Sequence, residues 1–385
     1  MTLWPRRLWA LTLTVAGCAT TAPIPPEAPT MASAPLAITH GAVEPKTLDV
    51  DAGETATIRY DLTQSAIVTS DLVDEAGRVV RHLTGGRQAA GTHTMAWEGT
   101  DGYGHAVPPG VYRYILHAHS MDAGLSTTDS TYDPSATSGG EELQPWDFTF
   151  DRQSGTFRWV MPQAGYARLR IGIEGFPHLR TLLDWQPLEA GEHTVVWDGL
   201  DETGLIALKD HPHCAITLHA FALPWNTLIV SDAGVHRPPS TDPSDTVDRG
   251  SSTVDASSPP LARPDAAYLH GRHPRALCHE PRLHLVFPTQ TRSDATGRPI
   301  LTGTVPVRVV LDERDAPQLV NSRFEIALFE DTTFLHEEED GTNPFTYLWD
   351  TTRVSAGEHL LTVNVLSYDD HYGVATQPVV IEPAS

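Results

Sequence analysis

Hydrophobic and polar residues alternate along most of this chain in short runs, the period of half-buried β-strands rather than of helices. Ala56, Ile58, Tyr60 and Leu62 share one face, followed by Ala66, Val68 and Leu72 and later by Tyr112, Tyr114 and Leu116. Between them lie turn signals, Asp74-Glu75-Ala76-Gly77, Gly85-Gly86 and Asp101-Gly102-Tyr103-Gly104, at the spacing of an antiparallel sandwich. A second block repeats the scheme: Phe157 and Trp159, then Ala167, Leu169, Ile171 and Ile173 facing inward while Arg168 and Arg170 face out. A third block alternates through Leu283-His284-Leu285-Val286-Phe287, then Val305, Val307, Val309 and Leu311, then Phe324, Ile326 and Leu328.

The first two blocks share a decapeptide. AGTHTMAWEG at 90–99 returns as AGEHTVVWDG at 190–199, and the continuation keeps Asp101/Asp201 and Gly104/Gly204 at the same offset as Gly91/Gly191 and Trp97/Trp197. Ala-Gly reads as a chain reversal, His-Thr-x-x-Trp as a strand, and Asp-x-x-Gly as the loop to the next strand. Nothing in this pattern requires chemistry. Trp97 and Trp197 are expected to fill the core, where an indole buries about 150–250 Å².

The series Ala56-Thr57-Ile58-Arg59-Tyr60-Asp61-Leu62, Asp74-Glu75-Ala76-Gly77-Arg78-Val79-Val80-Arg81, Ala90-Gly91-Thr92-His93 through Asp101, and Gly110-Val111-Tyr112-Arg113-Tyr114 resembles the Ig-like domain of the flagellar hook-capping family, FlgD. The likeness covers about residues 38–120 well. It covers 145–230 less completely, since Asp210-His211-Pro212-His213-Cys214 replaces the Pro-Pro-Gly-Val-Tyr approach to the last strand. The third block is similar to generic bacterial Ig-like domains: Trp349-Asp350 precedes Ala356-Gly357-Glu358-His359 instead of following it, so it is a third sandwich but not a third copy. The resemblance implies a fold and says little about activity.

The expected fold class is therefore all-β, with tandem Ig-like or fibronectin-type sandwiches joined by disordered linkers. Boundaries follow from composition. Residues 1–17 form a signal peptide and 18–35 a Pro-rich tether; 36–121 and 145–231 are the two FlgD-type domains, separated by a linker at 122–144. A Ser- and Pro-rich linker fills 232–267, and 268–385 is the third domain.

With 385 residues, 29 Gly and 31 Pro, the chain has room for three cores joined by many turns. Its formal net charge of −23 makes nucleic acid and anionic lipid headgroups poor electrostatic partners. At the N-terminus, Arg6-Arg7, a short apolar run and Val15-Ala16-Gly17-Cys18 resemble a bacterial lipobox, implying lipidation at Cys18. By resemblance to lipoprotein sorting in diderm bacteria, where an Asp after the cysteine favours inner-membrane retention, Ala19 implies an outer-membrane lipoprotein on its periplasmic or surface face. In such an oxidising compartment Cys214 and Cys278 could pair in a disulfide or remain two thiols.

Catalytic patterns fail one by one. There is no Gly-x-Ser-x-Gly elbow, His279-Glu280-Pro281-Arg282-Leu283-His284 is one residue too long for the zinc-protease spacing and carries a Pro, and no Cys-x-x-Cys-His occurs. The His-rich segments His211-Pro212-His213-Cys214 and His270 through His279 would suit zinc or copper, and Asp198–Glu202 or Glu337–Asp340 calcium; surface histidines, a capped turn and a solvated charge run are the plainer readings. No cofactor is expected. The expected role is that of a non-catalytic envelope lipoprotein, held to the membrane by its N-terminal lipid and built as a scaffold for a protein partner. The alternative is a module for glycans or other surface ligands using Trp185 and Trp225.

Overall fold

The computed structural model describes residues 35–120, 129–175, 177–231, 280–289, 292–367 and 371–383. They form three β-sandwiches. Each pairs a three-stranded sheet with a larger one, and each core lies between the two.

In the first sandwich, β1 (Ile38–Glu44), β2 (Thr47–Asp49), β3 (Ala56–Leu62), β4 (Ala66–Val73), β5 (Val79–Gln88), β6 (Gly91–Trp97) and β7 (Gly110–Ser120) follow the alternation read from sequence. Ala56, Ile58, Tyr60 and Leu62 point into a core shared with Trp97, Tyr112, Tyr114 and Leu116. Part of the stretch expected to be a linker is ordered: β8 (Ser130–Tyr132) lies on β7, a short 3-10 helix covers Pro134–Ala136, and β9 (Glu142–Leu143) joins the second sandwich. Asp133 holds that crossing in place. Its carboxylate accepts from the Ser135 amide and hydroxyl and from the buried Asn226 side chain, and Arg113 donates to Ser135 Oγ at 2.5 Å.

The second sandwich comprises β9, β10 (Trp146–Asp151), β11 (Thr156–Met161), β12 (Gly165–Ile173), β13 (His178–Leu188), β14 (Gly191–Val196) and β15 (Cys214–Ala222). Its sheets run β10-β11-β14 and β13-β12-β15-β9, all antiparallel. The next strand, β16 (Thr227–Ser231), then leaves this sandwich and enters the first. It runs antiparallel to β7, pairing Leu228 with Tyr112, and parallel to β2, pairing Leu48 with Val230. The second sandwich is thus inserted between the last two strands of the first. The seam is packed by Val111, Tyr166, Trp185, Leu223 and Ile229, and Tyr166 donates its hydroxyl to Glu75.

The third sandwich holds β17 (Leu283–Val286), β18 (Ile300–Leu301), β19 (Thr304–Leu311), β20 (Phe324–Glu330), β21 (Thr333–Glu338), β22 (Phe345–Asp350), β23 (Gly357–Ser367) and β24 (Tyr372–Ile381). Helix α1 (Ala316–Ser322) bridges β19 and β20. The sheets are β17-β19-β22 and β18-β24-β23-β20-β21, with β18 parallel to β24. Among the described residues no helix is long and apolar enough to cross a membrane.

Candidate functional site

The repeated motif is a pair of matching turns. Gly91 and Gly191 open their strands at φ 124° and 121°, a region that disfavours any side chain. Six residues on, the Trp97 indole N–H donates to the Thr100 carbonyl at 2.9 Å and that of Trp197 to the Leu200 carbonyl at 2.8 Å. Each ring is buried, as expected. The Asp101 carboxylate then accepts the amides of Tyr103 and His105, and Asp201 those of Thr203, Leu205 and Ile206, while Gly104 and Gly204 turn the chain at φ 85° and 74°. Asp74 and Asp294 cap two further Asp-x-x-Gly turns in the same way. These carboxylates are occupied by the backbone they fold. At the calcium candidate 198–202, Asp198 likewise accepts the Leu200 amide. At the other, Asp340 pairs with Arg323 at 3.0 Å.

One part of the motif recurs where the sequence pattern is reversed. His93 and His193 each place Nε2 2.8 Å from the carbonyl four residues back, and His359, in the third Ala-Gly-x-His, does the same with Ser355. Only His359 has its other nitrogen enclosed. Nδ1 lies 2.6 Å from Asp331 Oδ2 and 3.0 Å from Glu330 Oε1. Carbonyl and ionised carboxylate oxygens only accept, so both ring nitrogens must donate and the ring is an imidazolium. Burial alone would push the His359 pKa down, but the bonds to Asp331 and the Ser355 carbonyl and the two acidic charges outweigh it and raise it; burial pushes Glu330 up, opposed by His359. These three residues could each offer one atom to a cation. Ligands about 2.0–2.2 Å from one metal, however, stand roughly 3 Å or more apart, so the 2.6 Å contact is a direct hydrogen bond of an ion triad.

A concave region lies where the second and third sandwiches meet. A cleft of about 280 Å³ is lined by Arg168, Arg170, His178, His219, Asn364 and Tyr372 among others, and a neighbouring one of about 240 Å³ includes Glu280 and Thr181. Arg168 and Arg170 occupy the outer face of β12, as their alternation requires, but that face is covered, leaving them 5% and 4% exposed. Arg168 lies over the Trp185 ring at 4.3 Å and Arg170 over Tyr372 at 4.2 Å. Arg170 also donates Nε and Nη2 to Glu280 Oε1, whose carboxylate further accepts from Thr181 Oγ1 and the Tyr372 amide. Burial lowers the His178 pKa to about 3, helped by the two arginine charges; burial raises that of Glu280, against the pull of Arg170. Asn364 clasps the His178 backbone on both sides, amide and carbonyl at 2.9 Å each. The arrangement docks the second sandwich to the third.

Of the remaining residues nominated by sequence, Cys18, Cys278, His270, His273 and His279 lie outside the described residues. Cys214 opens β15, half-buried, and burial raises its thiol pKa against the pull of Arg152. His211 Nδ1 accepts the His213 amide at 3.2 Å. The two tryptophans of the ligand-binding alternative part company: Trp185 is 3% exposed, under Arg168, whereas Trp225 is 61% exposed. Neither the Arg168–Arg170 face nor the Glu330–Asp331–His359 triad was nominated. The signal for the first was two arginines at i and i+2 in an otherwise apolar strand, and for the second the third Ala-Gly-x-His.

Residues 46–122 match the FlgD Ig-like domain family. Among solved structures, FlgD of P. aeruginosa is 24% identical, covering 32% of this chain and 81% of that one, with a TM-score of 0.20. A Ca²⁺-stabilised adhesin with which an Antarctic bacterium binds ice is 11% identical over 92% of this chain and 75% of its own, at a TM-score of 0.19. A fibronectin-III array of RIM-binding protein is 11% identical over 91% and 98%, at 0.17. No curated protein matches the chain in sequence.

Proposed function

We propose that this protein is a non-catalytic scaffold of the cell envelope, anchored in the outer membrane by lipid at Cys18 and displaying its Ig-like sandwiches to a protein partner. The observation that carries this reading is the insertion of one sandwich into the sheet of another, which fixes their relative placement through hydrogen-bonded strands instead of a hinge. Side chains that would attract a chemical reading are spent on the fold: the Asp-x-x-Gly carboxylates cap turns, Arg168 lies over the Trp185 ring, and Arg170 docks the third sandwich. The resemblance of residues 15–18 to a lipobox supports the anchor, and the formal charge of −23 disfavours nucleic acid.

The test is in-cell cross-linking followed by mild detergent extraction, with Cys18→Ala as the exported but unlipidated control. A defined protein partner cross-linked at a sandwich surface, and lost together with membrane association in the control, supports the scaffold. A glycan recovered without any protein partner supports ligand binding instead, a reading that the exposed Trp225 favours.

A further inference from the structure

β2, the second strand of the first sandwich, and β16, its last, are bonded to each other, and the two strands run parallel: Thr47, Leu48 and Asp49 face Ile229, Val230 and Ser231. Tension between the two ends of the chain reaches β2 by way of β1, which precedes it and pairs with β3, and then pulls β2 toward its N-terminal side and β16 toward its C-terminal side. Because the strands are parallel, those opposite pulls act along the strand axis and strain the evenly spaced ladder bonds together instead of one at a time. Everything between the strands, most of the first sandwich and all of the second, lies in the loop that this pair closes.

We propose that the β2–β16 pair is a force-bearing lock that shields the second sandwich, and the part of the first that lies between β2 and β16, from tension until it parts. The inference deepens the scaffold reading and rests on it for the source of the load. Three features point the same way. Ile229 donates its amide to the Lys46 carbonyl at 2.8 Å, and the Lys46 ammonium reaches back across the same junction to the carbonyls of Trp225 and Thr227 at 2.6 and 3.3 Å. Leu48 and Val230 are buried in the first core, so water cannot readily replace the bonds beside them. The third sandwich, also on the path between the chain ends, has its own parallel terminal pair, β18 with β24, and an Arg292–Glu382 bridge beside it. The second sandwich, which lies inside the loop, has only antiparallel pairs among its described strands.

Single-molecule stretching of the mature chain from its two ends tests the lock without membrane or partner, so failure of partner capture leaves this result untouched, and the reverse. The loop holds roughly 180 residues, equivalent to on the order of 60 nm of extended chain. The expected record has one step of that size, because both sandwiches are loaded beyond their limit when the lock parts. Leu48→Cys/Val230→Cys, oxidised, identifies the step: it disappears and returns on reduction. Lys46→Met, which keeps the strands, is expected to lower the rupture force of that step and of no other, and Ile229→Pro to lower it further. Two separate steps of about half the length in the unmodified chain, or a rupture force unchanged in Lys46→Met and in Ile229→Pro where that variant folds, overturn the proposal.

Discussion

The first sandwich takes its closing strand from residues 227–231, beyond the second, whereas the second closes on β15 and β9 from the chain between. Their turns are otherwise interchangeable: the same glycine conformation, the same indole-to-carbonyl bond and the same carboxylate cap. Local chemistry is thus conserved across the repeat while strand closure is not. β16 is buried on both faces, with Leu228 and Val230 in the first core and Ile229 in the seam, so its apolar pattern alone does not say which edge it covers.

The largest expected effect probes the core on either side of that difference. Trp97→Ala and Trp197→Ala each leave a cavity costing about 3–5 kcal/mol. Because β16 closes the first sandwich from beyond the second and the two meet at the Tyr166–Trp185–Ile229 seam, both substitutions should lower one common melting transition followed by calorimetry; independent transitions would show that the insertion does not couple them.

The docking of the third sandwich sharpens the contrast, since it has side-chain contacts but no strand shared with the others among the described residues. Glu280→Ala leaves the buried Arg170 guanidinium without this carboxylate, at a cost of about 3 kcal/mol. Small-angle scattering should record an extended particle while the first two sandwiches keep their melting temperature. Extension together with early melting of all three would contradict the separation.

Next come the turns. Asp201, 1% exposed, caps three amides and the Thr203 hydroxyl, so Asp201→Ala should cost about 2–3 kcal/mol by urea denaturation. Asp101→Ala, in the more open copy, should cost less. The reverse order would mean that the two turns differ in ways their geometry does not display.

Acid should act at the docking face through His178. Its folded pKa of about 3 is below the ordinary value of 6.5, so between these values the unfolded state binds more protons and stability falls as pH falls. Facing it are Arg168 and Arg170, and Glu280 lies on the adjoining cleft. The expected loss is about 2 kcal/mol by pH 5, and His178→Gln should flatten that part of the profile. Smallest of all is Trp225→Ala, within about 0.5 kcal/mol in stability; a large change in binding to a glycan array would favour the alternative function.

Much of this was legible in the chain. Alternation at 56–62 and 167–173 placed the strands and their inward faces, and the doubled Ala-Gly…Trp…Asp-x-x-Gly marked the turns, because both patterns depend on residues near one another in sequence. The third Ala-Gly-x-His was read as a departure from the repeat, yet its glycine, at φ 141°, and its histidine adopt the same local geometry. What it added, the ion triad, needed Glu330 and Asp331 from another strand, and no local pattern carries that pairing.

By itself, then, the sequence determined the strands, their inward faces, the turns and the three cores, since side-chain period and glycine or aspartate conformational preference act over a few residues. Only the tertiary structure decided that residues 130–143 would be ordered, that Arg168 and Arg170 would be covered, and that β16 would complete the first sandwich from beyond the second. Each of those outcomes depends on which surfaces meet between segments that are not neighbours in the chain, where hydrogen-bonding edges and apolar faces are matched by position in space.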